Sequence, residues 1–232
     1  MAFPFVFEDL GLIDYQQVFQ IQETLFNEKI RFKIKQKNSQ DSSFKSTHHL
    51  LFCEHFPVFT LGKSGLEKNL LVSEKDLNTR KISLFRTNRG GDITFHGPGQ
   101  LVGYPIFDLD EMKIGIRQYI DNIEETIILS LLDYGIKGER INGASGVWIK
   151  STDNNFAKKI CSLGVRVSRG ITMHGFALNI NTNLNYFKYI NPCGFSASQM
   201  TSVSAEKNSE QNMDEFKMNV LKNLKKVFHL QS

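Results

Sequence analysis

Five extended runs succeed one another between Leu50 and Phe107, with no amphipathic helical repeat read between them. They are Leu50 to Glu54, Phe56 to Leu61, Ile82 to Thr87, Ile93 to His96 and Leu101 to Phe107. Such a succession argues against the regular strand–helix alternation of a doubly wound parallel sheet. Arg89-Gly90-Gly91-Asp92 joins two of the runs, and adjacent glycines between β-type runs predict a tight hairpin turn with positive φ. Further strands are predicted at Phe3 to Phe7, Gly146 to Ile149, Lys159 to Val167 and Ile171 to Asn179, the last two joined by Ser168-Arg169-Gly170.

Helical periodicity marks three segments. The first runs from an Asp14 cap to about Phe32, with Val18, Ile21 and Leu25 on one face. The second is Ile114 to Tyr134, ended by Gly135 at the C′ position. The third runs from about Met213 to Phe228. The fold class read from this pattern is α+β, a mixed or antiparallel sheet flanked by helices. No long linker or internal repeat interrupts the 232 residues, which read as one domain over 1–232. Lys37 to Thr47, Ser151 to Asn155 and Ser202 to Asn212 read as surface loops.

The net charge of +4 is mild and spread along the chain, unlike the basic stripe of a nucleic-acid binder. It suits acidic protein partners through steering. Three cysteines, an odd count without repeated spacing, argue against a disulfide framework. The first residues lack a basic n-region, and no apolar run reaches the roughly 18 residues that span a bilayer. A cytoplasmic protein with reduced thiols, without membrane or nucleic-acid partners, is the expectation.

Three local patterns fail as motifs. Gly62-Lys63-Ser64 lacks the upstream glycine of a phosphate-binding loop, since Pro57 stands there. Gly97-Pro98-Gly99-Gln100-Leu101-Val102-Gly103 spaces its third glycine one residue late for a dinucleotide fold and leads into an extended segment. Cys53-Glu54-His55 near His48 and His49 lacks a second ligand pair at zinc spacing, so no metal is expected.

Cys53 and Cys161 lie in apolar strand-like runs and read as small buried residues. Cys193 lies in Asn191-Pro192-Cys193-Gly194, turn chemistry that presents a side chain to a cleft. Strand alternation would place Lys159 and Cys161 on one face, so Cys161 stays a rival nucleophile. Arg89 to Gln100 packs four glycines, a proline and a histidine into twelve residues, the composition of backbone approaching a ligand closely. Phe95 and its apolar neighbours are candidates to wall an acyl slot.

Taken together, these residues resemble the octanoyltransferase family of lipoate biosynthesis, whose fold is shared with lipoate and biotin protein ligases. The matching segments, in family order, are Glu54 to Gly62, Arg89 to Gln100, Gly146 to Ile149, Lys159 to Arg166, His174 to Asn179 and Asn191 to Gly194. Asn183, where Asp is common, and a long Ser151 to Asn155 segment depart from the pattern. The resemblance implies a catalytic pair of Cys193 and Lys159. It implies substrate contacts from Arg89, Gly90, Gly91, Asp92, Ile93, Thr94, Phe95 and His96, from Ser162, Leu163 and Gly164, and from Gly175, Phe176 and Ala177. His96 and His174 are read as orienting substrate or bracing loops, His174 the latter.

The implied reaction takes an octanoyl group from octanoyl-acyl carrier protein, through a cysteine thioester, to a lysine of lipoyl domains. Those acceptors belong to 2-oxoacid dehydrogenase complexes and the glycine cleavage H protein. No cofactor is implied. Backbone N–H groups near Gly194 or Leu163 are the oxyanion candidates. An ATP-dependent lipoate protein ligase of the same fold, and a non-catalytic module binding lipoyl domains or carrier protein, are the alternatives.

Overall fold

The computed structural model describes residues 3–39, 47–150, 157–191 and 199–231. The chain opens with β1 (Phe3–Ile13), α1 (Tyr15–Ser39), β2 (His48–His55) and β3 (Val58–Leu61). Next come α2 (Glu74–Thr79), β4 (Ser83–Arg86), β5 (Ile93–His96), β6 (Gln100–Ile106), α3 (Leu109–Met112) and α4 (Ile116–Leu132). The remainder is β7 (Gly138–Ile141), β8 (Ala144–Lys150), β9 (Ala157–Ser168), β10 (Ile171–Asn179), α5 (Val203–Lys207), α6 (Met213–Phe228) and β11 (Leu230–Gln231).

Where sequence chemistry is local and strong, the elements fall as predicted. Asp14 caps α1, its carboxylate accepting from the amides of Gln16 and Gln17. Asn212 caps α6 through the amides of Asp214 and Glu215, and Lys225 and Lys226 occupy the last turn, where the helix dipole favours cations. Gly135 takes φ +75° just past α4. Arg169 (φ +52°) and Gly170 (φ +77°) form the turn between β9 and β10.

Among the described residues, one sheet has the order β11-β1-β2-β6-β10-β9-β8-β7 and a second the order β4-β3-β5. The larger sheet is mixed: β11, β1 and β2 pair in parallel, and the rest antiparallel. This is the α+β class expected. The hairpin expected between Ile82–Thr87 and Ile93–His96 does not form. Both strands pair with β3 instead, β4 in parallel and β5 antiparallel. The parallel pair needs a crossover, which residues 62–82 supply through α2, a helix too short to show a period. Likewise Ser202 to Asn212, read as a loop, carries α5, capped by Ser202. Of the predicted loops, Ser151 to Asn155 and residues 40–46 lie outside the described residues.

Strand alternation divides the interior. Leu50 and Phe52 of β2, Leu101 of β6 and Leu178 of β10 join a main core with α4 and α6. Leu51, Cys53, Val102, Tyr104 and Ala177 face the other way, into a second core with Val18 and Phe26 of α1. A third cluster, around Phe59, Phe95 and Phe187, holds the small sheet together.

Candidate active site

A cavity opens on the α1 side of the large sheet, against the small sheet. It is lined by Tyr15, Arg89, Gly91, Asp92, Ile93, Thr94, His96, Val102, Tyr104, Ser145, Lys159, Ser162, Leu163, Gly164, His174, Gly175, Phe176, Ala177, Phe187 and Met200. Thirteen of the residues implied as site residues by the sequence thus meet at one place: six of the Arg89–His96 segment, Lys159, Ser162 to Gly164 and Gly175 to Ala177. Gly90 and Phe95 do not line it. Phe95 points into the small-sheet core, stacked on Tyr186 at 4.4 Å. The acyl-slot wall assigned to Phe95 is corrected accordingly: its ring is held among Phe59, Tyr186 and Phe187 in the small-sheet core. The apolar lining comes from Ile93, Val102, Leu163, Phe176, Ala177, Phe187 and Met200.

The Arg89 turn reaches the large sheet because two backbones can touch. The amide of Gly90 donates to the carbonyl of Val165 at 2.9 Å. A Cβ on Gly164 would lie 2.9 Å from the carbonyl oxygen of Gly90, so a side chain there would push the turn off β9. Arg89 is buried and braces this turn from within. Its guanidinium donates to the Thr60 carbonyl (2.6 Å), the Thr60 hydroxyl (2.9 Å) and the Gly90 carbonyl (3.0 Å). Asp92 accepts from the amides of Ile93 (2.7 Å) and Leu66 (3.3 Å), and from the Asn69 side chain.

Three buried histidines border the cavity region in neutral form. His96 bonds through Nδ1 to Gln100 Oε1 (2.8 Å) and through Nε2 to the Thr60 hydroxyl (3.3 Å). Burial, then His55 and Arg89, holds it well below the usual histidine range. His55 donates from Nδ1 to the Ile13 carbonyl (3.0 Å), which leaves Nε2 to accept from the Tyr104 hydroxyl (2.7 Å). Its pKa is lowered to about 4, chiefly by burial. His174 meets Asn88 Oδ1 at 2.7 Å and is lowered to about 3 by burial, then by Arg89 and Arg166. It adopts φ +60° within β10, a conformation stabilised by its amide's bond to Gln22 Oε1 (3.0 Å). Bracing by His174, expected from sequence, matches these contacts.

Lys159 and Cys161 separate. The register between β8 and β9 shifts by one residue, with Trp148 opposite Lys159 but Val147 opposite Cys161. This β-bulge breaks alternation. Ile160 and Cys161 both enter the main core, while half-buried Lys159 lines the cavity. The expectation of one shared face for Lys159 and Cys161 is therefore corrected. Burial pushes the Cys161 thiol up, and that of Cys53 also, which suppresses thiolate at neutral pH. Cys193 lies outside the described residues. Phe187 and Met200, which precede and follow it in the chain, both line the cavity, and Thr201 donates its amide to the Lys159 carbonyl at 2.9 Å.

Sequence reading missed Tyr15, Val102, Tyr104, Ser145, Phe187 and Met200 as lining residues. Alternation along β6 pairs Val102 with Tyr104 and was available as a signal. The others arrive through tertiary packing.

The family profile described as the lipoyl protein ligase A/B catalytic domain matches residues 14–225. An octanoyltransferase of Cytophaga hutchinsonii is 49% identical over 224 residues, covering 96% of this chain and 92% of that protein. One of Porphyromonas gingivalis is 51% identical over 205 residues; the match spans 88% of this chain but 40% of that longer protein. Among solved structures, a bipartite lipoate protein ligase from Thermoplasma acidophilum superposes with TM-score 0.73 at 15% identity, covering 99% of this chain and 86% of that one. A biotin protein ligase from Aquifex aeolicus gives 0.54 at 11%, covering 97% and 70%. At such identities these two likenesses speak for the fold.

Proposed function

The chain belongs to the lipoyl protein ligase A/B catalytic domain family, and from that premise we propose that it is an octanoyltransferase of lipoate biosynthesis. It moves an octanoyl group from octanoyl-acyl carrier protein onto a lysine of lipoyl domains. The observation that carries this reading is the partly apolar cavity with Lys159 on its wall, flanked by Phe187 and Met200 from either side of Cys193 in the chain. The octanoyltransferase relatives support the same activity. The acceptors are the lipoyl domains of 2-oxoacid dehydrogenase complexes and the glycine cleavage H protein.

The reaction runs in two halves. Lys159 Nζ takes the proton from Cys193 Sγ, and the thiolate attacks the octanoyl carbonyl. A new C–S bond forms, the C–S bond to the carrier breaks, and the departing thiolate regains the proton from Lys159. The acyl-enzyme is itself a thioester, so activation is retained and no ATP is consumed. The acceptor amine then attacks that thioester. A C–N bond forms, the bond to Cys193 breaks, and the amine proton passes through Lys159 to the leaving sulfur. The neutral histidines and Arg89 hold the walls in place and exchange no protons with substrate.

Cys193 is the nucleophile in this reading because Cys53 and Cys161 are buried with their thiols pushed up. The test is incubation with octanoyl-acyl carrier protein in the absence of ATP, followed by peptide mass spectrometry. An octanoyl adduct on Cys193 is expected, lost in Cys193→Ala. Absence of any adduct, with modification appearing only when ATP and free octanoate are added, would instead identify a ligase. No helix among the described residues is long and apolar enough to cross a membrane.

A further inference from the structure

Trp148 is the largest fully buried side chain among the described residues, yet it belongs to none of the three apolar clusters. Its ring instead carries the Lys159 ammonium on its face, 4.6 Å from Nζ to the ring centroid. We propose that Trp148 is a positioning residue that holds Lys159 as ammonium and so tips the Lys159–Cys193 pair toward ammonium and thiolate. The proposal rests on the Cys193–Lys159 chemistry set out above.

Three features of the backbone build this contact. Trp148 and Lys159 are direct cross-strand partners, immediately before the register shift that sends Cys161 into the core. Without the bulge, the residues after Lys159 would keep alternating. With it, Lys159 keeps its place beside Trp148 while both following side chains are buried. Gly146 clears the path of the lysine stem. Its φ is +113°, and a Cβ there would lie 3.2 Å from Lys159 Cε and 2.4 Å from the Cys161 carbonyl oxygen. The indole N–H donates to the Ala144 carbonyl at 3.3 Å, which fixes the plane that Lys159 meets.

A cation over an indole face is attracted by the ring quadrupole, whereas a neutral amine is not. The contact therefore acts on one protonation state of Lys159. The proton that leaves Cys193 Sγ goes to Lys159 Nζ, and the product of that transfer is the state the ring favours. No bond to carbon changes, and no further reactant is needed. A core-filling role for Trp148 would act on both protonation states alike, and that difference can be measured.

The chain has one tryptophan. Biosynthetic replacement by monofluoro-, difluoro- and tetrafluorotryptophan therefore alters Trp148 alone, weakening the ring face while keeping its shape, where Trp148→Leu risks the fold. The rate of Cys193 alkylation by iodoacetamide is followed against pH across the series, with the alkylated residue located by mass spectrometry. The rate at neutral pH is expected to fall with each added fluorine, roughly tenfold in total, as the pair shifts back from ammonium and thiolate to amine and thiol. In Lys159→Gln the series should share one rate. A rate that stays constant across the series in the parent protein overturns the proposal.

Fluorine NMR of the labelled ring reads the contact without reference to Cys193. A pH-dependent step present in the parent and absent in Lys159→Gln supports the Trp148–Lys159 pairing. Its absence overturns the pairing even if the octanoyl adduct forms. A step with no adduct would leave the pairing standing and sink the transferase reading.

Discussion

The face of the large sheet covered by α4 and α6 buries Ile127, Leu131, Phe216 and Val220. The opposite face, toward α1 and the small sheet, buries Arg89, His55, His96, His174 and Gln100. Polar groups exist on the first face too; some bond between elements, as Glu124 does with Arg140 and the Gly146 amide, and some close locally. The hydroxyls of Thr126 and Ser130 donate to carbonyls four residues back on their own helix. On the second face the bonds run between elements: Arg89 to Thr60, His55 to Tyr104, His96 to Gln100, His174 to Asn88. Apolar burial is non-directional and tolerates small shifts. Buried hydrogen bonds are directional and costly to leave unmade. The first face supplies stability, and the second spends part of it to hold a cavity open in one shape.

The largest expected effect separates the two faces outright. Lys159→Ala should lower turnover by about 10²- to 10⁴-fold, the span of a lost proton-transfer group, with little change in melting temperature. Leu131→Ala should do the reverse, costing about 2–5 kcal/mol of stability through transfer and cavity terms, with turnover per folded molecule unchanged. Parallel thermal melts and single-turnover assays decide it. A Lys159→Ala protein that melts early but turns over normally would erase the distinction.

Arg89→Lys sharpens the contrast within the cavity face. Lysine keeps the charge but cannot reach the Thr60 carbonyl, the Thr60 hydroxyl and the Gly90 carbonyl together as the guanidinium does. A loss of about 2 kcal/mol in chemical denaturation is expected, the worth of a hydrogen bond to a charged buried group, together with reduced activity as the Arg89 turn loosens over Gly164. Full activity at wild-type stability would show that the clamp is dispensable.

These contrasts follow what could and could not be read from the chain. The bounds of β10 and α6 were legible because each carries a strong local signal: a turn before β10, and an Asn212 cap with a clear period for α6. The pairing of β4 with β3 was not legible, because a six-residue helix leaves no period to detect and neither strand's sequence names its partner. The Lys159–Cys161 bulge was illegible for a related reason: an unpaired extra residue is a property of two strands together. Glycine density around Arg89 was read as backbone approaching a ligand, and what it marks in the structure is the turn's approach to the backbone of β9; which side chain would wall the cavity depended on tertiary packing, and Phe95 went to the small-sheet core. The joint role proposed for Cys193 and Lys159 came from resemblance, since a cysteine in a Pro-Cys-Gly run and a lysine far from it in sequence carry no local sign of partnership.

The buried histidines make the cavity face sensitive to acid, and His48, packed against Phe107 of the main core and lowered to about 3 by burial, does the same for the other face. His55 and His174 are lowered to about 4 and about 3 in the folded protein, against about 6.5 when unfolded. Their folded-state values are depressed, so the unfolded chain binds more protons between these limits. The neutral state's contribution is whole above about pH 6.5 and is lost progressively as pH falls toward about 4 and then about 3. Each histidine adds a slope of up to ~1.4 kcal/mol per pH unit. Urea melts from pH 7 to pH 4.5 should show this decline, and His55→Gln should flatten it. An equal slope in His55→Gln would remove His55 from the account.

The smallest effect tests one bond of that network. Tyr104→Phe deletes the hydroxyl that donates to His55 Nε2 at 2.7 Å. Cys53 Sγ stands 3.4 Å from the same nitrogen and remains as a weak partner, so the cost at pH 7 should sit near ~1 kcal/mol, the low end for an unmade buried bond. The sign of its pH dependence carries more information than its size. The Tyr104 bond favours neutral His55, so its loss should let the folded-state value rise toward the unfolded one. The folded variant then takes up a proton more readily, and the stability gap between Tyr104→Phe and the parent should narrow as pH falls through the variant's folded-state value toward the parent's value of about 4. A gap that stays constant or widens on acidification would mean that the hydroxyl fills space beside His55 without setting its protonation.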